Sequence, residues 1–221
     1  RSDLAGRDLA LLGAFDEAEA AFEQLTRAPN FTAFVGVLFQ SFFLAQIGRA
    51  RQALDASTSL FRAASARGDR IVGTGAQLVV LDALIQLGEM ERAEAEIEAI
   101  GDPATLLPYN RAGYLVIVGD MRLRQGRARE ALQLADEALA LNREVGLYIN
   151  PRQDGASLLR AEALFALGDL AGAQEAIRVA RDEILALADH IEDPAYRKTF
   201  LENVPVHART FAHAREWLGQ T

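Results

Sequence analysis

Cysteine is absent from the 221 residues, which excludes a disulfide framework and any thiolate metal site and leaves the fold indifferent to redox compartment. Histidine is scarce. The three present, His190, His207 and His213, have no i,i+4 pairing, so no zinc motif forms, no metal or cofactor is expected, and each reads as a surface histidine. Aromatic residues make up 7% of a chain that is 50% apolar, a balance that suits Ala- and Leu-rich helices better than sandwich strands, and no segment alternates with period two. Positive charge is in deficit. A net charge of −8 offers no grip on a phosphate backbone and sets nucleic acid aside as a direct partner. The longest uncharged apolar run, Phe31 to Ile47, includes Thr32, Gln40, Ser41 and Gln46, falls short of a comfortable membrane span and reads as a buried helix. No secretory signal opens the chain, so a cytoplasmic location is expected; it begins at Arg1 within what reads as a helix, as an excised piece of a longer protein would.

What is present is a repeat. Leu164-Phe165-Ala166-Leu167-Gly168-Asp169-Leu170-Ala171-Gly172-Ala173 has counterparts around Gly13, Gly48, Gly88 and Gly126, and each glycine is followed five residues later by an alanine: Ala18, Ala53, Ala93, Ala131 and Ala173. This is the signature of a helical hairpin turn, in which an apolar helix end meets a glycine able to take positive φ and then an alanine small enough for close helix contact. The glycines lie 35, 40, 38 and 42 residues apart, so the turn is fixed while the outer loops vary. Five helix pairs are expected, with first helices over Phe31–Ile47, Gly73–Leu87, Tyr109–Gln125 and Gly155–Leu167 after a truncated opening helix. Asp102-Pro103, Pro108 and Asn150-Pro151 read as loops between pairs, not domain boundaries.

Leu12-Gly13-Ala14-Phe15-Asp16-Glu17-Ala18, then Phe22 and Pro29, resembles the second half of a tetratricopeptide repeat with its Ala-x-x-x-Phe and closing proline. Ala5-Gly6 and Val118-Gly119 occupy that family's Leu-Gly slot, whereas Gln40-Ser41, Val80-Leu81 and Arg160-Ala161 depart from it, and Ser57, Ile97, Ala135 and Ile177 stand where an aromatic residue is usual. The longer spacing is similar to the degenerate repeats of large bacterial signalling proteins and transcriptional regulators. The resemblance implies an all-α, right-handed superhelical array of about five antiparallel helix pairs over residues 1–192. Its exposed N-terminal edge leaves room for a weak homodimer.

Residues 193–221 read as capping helices. Asp193-Pro194 caps a short helix, Asn203 to Pro205 opens another, and Val204, Ala208, Phe211, Ala214 and Leu218 form one stripe with His207, Arg209, His213, Arg215 and Glu216 largely away from it. The tail resembles the segment that closes the C-terminal helical-repeat part of bacterial multidomain serine/threonine kinases or ATPase-type regulators. Before it, Ala173, Ile177, Ala180, Ile184, Leu187 and Ile191 step by four and three, a seam covered either by another chain in a coiled coil or by the tail itself.

Enzymatic chemistry finds no foothold. Gly73-Thr74-Gly75 lacks the Gly-Lys-Ser/Thr of a phosphate loop, Leu78 replaces the third dinucleotide glycine, and Glu91, Glu94, Glu96 and Glu98 read as a solvated face. A non-catalytic protein- or peptide-binding module of a larger signalling protein is expected, or alternatively the inducer-sensing domain of a bacterial transcription regulator. On the tetratricopeptide resemblance the groove positions are Leu38, Leu78, Val116 and Leu158, ten residues before a marker glycine, and Phe42, Asp82, Asp120 and Glu162, six before it, with Arg124 nearby. Carboxylates over an aliphatic floor suit a basic or amine-bearing peptide; the same carboxylates could instead pair with Arg122 and Arg160. Tyr109 with Arg111 and Tyr148 with Arg152 occupy equivalent loops and form a candidate rim of binding anchors or of loop-packing residues.

Overall fold

The computed structural model describes residues 5–26, 31–145 and 155–219. Among these residues there are twelve α-helices and no strand: α1 (Ala5–Leu11), α2 (Phe15–Thr26), α3 (Phe31–Gln46), α4 (Ala50–Ala66), α5 (Arg70–Gln86), α6 (Met90–Ile100), α7 (Pro108–Arg124), α8 (Ala128–Val145), α9 (Gly155–Ala166), α10 (Leu170–Ala188), α11 (Pro194–Glu202) and α12 (Pro205–Leu218). None of them is long and apolar enough to cross a membrane. The chain forms two compact units, Arg1–Pro103 and Ala104–Thr221. This differs from the expectation that the Asp102-Pro103 loop merely joins two pairs; α6 ends at Gly101 (φ 74°), and a 3-10 turn at Pro103–Thr105 separates it from α7.

Each marker glycine closes a first helix and opens a second. Gly13, Gly48, Gly88, Gly126 and Gly168 have φ between 73° and 79°, and in every case the residue after the glycine donates its N–H to the carbonyl five residues back: Ala14 to Leu9, Arg49 to Leu44, Glu89 to Leu84, Arg127 to Arg122 and Asp169 to Leu164, at 2.8–3.1 Å. The glycine N–H meanwhile bonds three residues back, so the turn satisfies carbonyls that a helix end otherwise leaves open. The alanines five residues on are almost wholly buried, 0% exposed at four positions and 1% at Ala173. Five hairpins result, α1/α2, α3/α4, α5/α6, α7/α8 and α9/α10. A further copy of the turn lies between hairpins at Gly68 (φ 70°), where Asp69 donates to the Ala64 carbonyl and its side chain caps Val72. Gly73 takes the alanine's place there.

First and second helices differ in how they are buried. In α5 every residue from Leu78 to Ile85 is buried, as is every residue of α7 from Ala112 to Gly119, whereas α4, α8 and α10 bury one stripe and wet the other. One core cluster of the first unit is built on Phe22 and Phe43, whose rings stand 5.6 Å apart, with Phe15 edge-on to Phe43 at 5.7 Å. Of the four positions where an aromatic residue is usual, Ser57, Ala135 and Ile177 are each 0% exposed and Ile97 is half-buried, and the Ser57 hydroxyl donates to the Ala53 carbonyl at 2.6 Å.

The tail packs on the last hairpin but not where the seam suggested. Ala173, Ile177, Ala180 and Ile184 are buried, yet Leu187 is 46% exposed and Ile191 lies beyond the end of α10; Ala188 is the buried residue instead. A straight helix drifts from a strict four-three step, so the contact stripe leaves Leu187 behind. The cover from α12 falls farther back, with Ala214, Val206, Trp217 and Leu218 packed on Leu158, Leu164 and Ile177. α12 is also rotated from its predicted stripe: His207 and Thr210 are each 1% exposed, alongside buried Val204 and Ala214. Local hydrogen bonds make this tolerable, because His207 Nδ1 lies 2.8 Å from the Phe200 carbonyl and the Thr210 hydroxyl donates to that of Val206. His207 is therefore not a surface histidine.

Candidate functional site

In the first unit the predicted groove residues are buried or half-buried. Leu78 and Asp82 on α5 are 0% and 5% exposed, while Leu38 and Phe42 on α3 are half-buried. Leu38 sits over Gly75, where an added Cβ would meet its Cδ2 at 3.0 Å. This close passage of α3 and α5 accounts for the glycine at position 75. Gln86 reinforces the same contact by donating its side-chain N–H to the Ala45 carbonyl at 3.1 Å.

In the second unit Val116 and Leu158 are 4% and 3% exposed, and the carboxylates beside them are paired. Asp120 holds Arg124 one turn on at 2.8 Å. Glu162, its side chain 11% exposed, accepts Arg209 Nε at 2.6 Å and Nη2 as well, with His213 Nε2 2.9 Å from Oε1. Of the expected partners, Arg160 bonds Asp136 across to α8 rather than Glu162.

Register explains the choice. Gly219 has φ 64°, and His213 and Arg209 stand six and ten residues before it, the same offsets that define the groove positions before Gly48, Gly88, Gly126 and Gly168. α12 thus lies against α9 and α10 with the numbering of another first helix, and Leu218-Gly219 repeats, inside the tail, the Leu-Gly of the marker turns at Gly13, Gly88 and Gly168. Val116, Asp120 and Leu158 come together with Val206 and Arg209 around a cavity of about 150 Å³.

Of the candidate rim, Tyr109 is half-buried at the start of α7, and burial pushes its hydroxyl pKa up. Arg111 is engaged by Glu137 of α8. Tyr148 and Arg152 lie outside the described residues.

A second cavity lies in this unit, away from the predicted groove and rim. About 420 Å³ opens between α8 and α10, with α9 below and α12 closing one wall. Its floor is apolar, Ala176, Ala180 and Ile184, and its sides mix charge with aliphatic groups. Asp136 and Arg160 pair across it at 2.8 Å, and the Ser157 hydroxyl donates to Glu183 at 2.8 Å. His207 belongs to the α12 wall. A carbonyl can only accept, so the contact with Phe200 puts the proton on Nδ1 and leaves Nε2 as a buried acceptor without a partner among the described residues. Burial holds its pKa below the ordinary histidine value, with the Phe200 bond opposing in part. A signal for this cavity was present in the sequence: Val179 and Leu187 are aliphatic residues on a face of α10 otherwise charged, and they stand 44% and 46% exposed.

Among the described residues no group of three or more His, Asp or Glu is placed to hold a metal ion. No family model, curated protein or solved structure matches the chain.

Proposed function

We propose that the chain is a non-catalytic binding module, a right-handed array of tetratricopeptide-type hairpins within a larger bacterial signalling protein, whose partner is a protein or peptide with basic side chains. The environment of Glu162 carries this reading. It occupies the position six residues before a turn glycine, shared by Phe42, Asp82 and Asp120, and there it holds a guanidinium and an imidazole from the helix laid beside it. A partner with arginine or lysine side chains would bring the same chemistry to an equivalent position. Asp120 is the position open to exchange, because its bond to Arg124 is a pair within one helix whose arginine is 43% exposed, and such pairs are worth only about 0.3–0.5 kcal/mol.

The test is a fluorescence-anisotropy titration of the full chain with labelled arginine-rich and glutamate-rich peptides. Saturable binding of the basic peptide alone is expected, weakened by added salt and by Asp120→Asn. Equal binding of both peptides, or an affinity indifferent to Asp120→Asn, sinks the reading.

A further inference from the structure

We infer that the cavity between α8 and α10 is a binding site for a small zwitterion with an aliphatic side chain, an α-amino acid of the leucine type. Its volume of about 420 Å³ falls within the usual range of small-molecule sites, about 300–1,000 Å³. Leu139 and Arg143 stand one turn apart on α8, and Val179, Glu183 and Leu187 stand at successive turns of α10; all five line the cavity. Each side therefore offers one charge, of opposite sign, set among aliphatic groups.

The charges are what select the ligand. Asp136 is neutralised by Arg160 and Glu175 by Arg178, so neither asks for a counter-ion. Arg143 and Glu183 do not pair with each other, and among the described residues neither has an oppositely charged partner. Glu183 uses Oε2 to accept the Ser157 hydroxyl, which orients the carboxylate and leaves Oε1 for an ammonium group. A monovalent ligand would satisfy one rim charge and leave the other unmatched; a zwitterion satisfies both. An aliphatic side chain would then cover the exposed faces of Val179 and Leu187 above the floor of Ala176, Ala180 and Ile184. The site lies on a different face of α9 from Leu158 and Glu162, since Ser157 and Arg160 line it. It stands or falls independently of a peptide partner.

The experiment is a titration of the full chain with L-leucine, followed by calorimetry and by backbone amide NMR shifts, with 4-methylpentanoate, isopentylamine and glycine as comparison ligands. Saturable binding of L-leucine is expected, with shifts centred on Arg143 and Glu183, and each comparison ligand at least about tenfold weaker, equivalent to about 1.4 kcal/mol. Arg143→Gln should weaken L-leucine about tenfold yet leave isopentylamine unchanged, and Glu183→Gln should weaken L-leucine while leaving 4-methylpentanoate unchanged. Both side chains are exposed, so unchanged circular dichroism is expected of either variant. Absence of saturable L-leucine binding, comparison ligands that bind as tightly, or variants with parental affinity would each overturn the assignment.

Discussion

Arg209 of α12 sets its Nε 2.6 Å from Oε1 of Glu162 on α9, while Nη2 bonds the other oxygen. This is a two-point guanidinium–carboxylate contact, stronger and more directional than a single bond, and it fastens the last helix to the hairpin before it. Trp217, one turn beyond His213, stacks on Phe165 with centroids 4.5 Å apart and planes 2° from parallel, so indole emission reports whether α12 is docked.

Replacing Arg209 by alanine leaves Glu162, among the described residues, with His213 alone against it at a site 11% exposed. The stranded carboxylate should cost about 1–3 kcal/mol of α12 docking. In urea, the Trp217 signal of Arg209→Ala should fall at a lower midpoint than the helical signal of the remainder, while Glu162→Gln, which keeps an acceptor oxygen, shifts less. Midpoints identical to those of the parent protein would show that the contact contributes nothing.

His207 makes a prediction with a defined sign. Its pKa is lowered in the fold by burial, so the unfolded chain, near about 6.5, binds a proton that the folded chain resists. Between the unfolded and folded values the unfolded state carries more protons, and stability therefore rises with pH. Melting temperature should fall as pH drops below about 6.5, and the slope should flatten in His207→Gln, whose side chain can still donate towards the Phe200 carbonyl but does not titrate. An identical slope in the variant would remove His207 as the cause.

Much of the fold was legible because the turn is a local device. A glycine in the left-handed region followed after five residues by a small side chain needs no knowledge of distant packing, and the first helices end within one residue of Ile47, Leu87, Gln125 and Leu167. Gly68 escaped notice because Gly73 replaces the alanine of the pattern, and Gly219 because it follows a tail read as a cap. Side-chain roles at the candidate site were less accessible. Whether Leu78 is floor or core, or whether Glu162 is free or held by Arg209, depends on which helix lies alongside, and helix crossings leave no periodicity in the sequence. The rotation of α12 is the clearest case: its apolar stripe pointed through Ala208 and Phe211, but contact with α11 at Phe200, whose ring stands 4.3 Å from that of His207, turned a histidine inward.

Two glycines, one inside α7 and one in the turn that follows it, separate backbone strain from crowding. Gly126, just past the end of α7, has φ 76° and nothing within 4 Å of where a Cβ would lie, whereas at Gly119, inside α7, an added Cβ would collide with Cδ2 of Leu159 on α9. Gly126→Ala should therefore cost about 1–2 kcal/mol, the penalty of holding an L-residue in the left-handed region. Gly119→Ala gains roughly 1 kcal/mol of helix propensity but must displace a side chain only 3% exposed, and overpacking of that kind costs about 1–3 kcal/mol. Leu159→Ala distinguishes the two. Alone it should lose about 2–5 kcal/mol through the cavity it leaves; combined with Gly119→Ala, the new methyl fills part of that cavity and the collision disappears, so the double variant should be more stable than Leu159→Ala by about 1 kcal/mol. Combined with Gly126→Ala, the two losses should simply add to within about 0.5 kcal/mol. Urea midpoints of the five proteins and their parent measure both cycles, and equal coupling in the two would mean that α7 and α9 do not meet at Gly119.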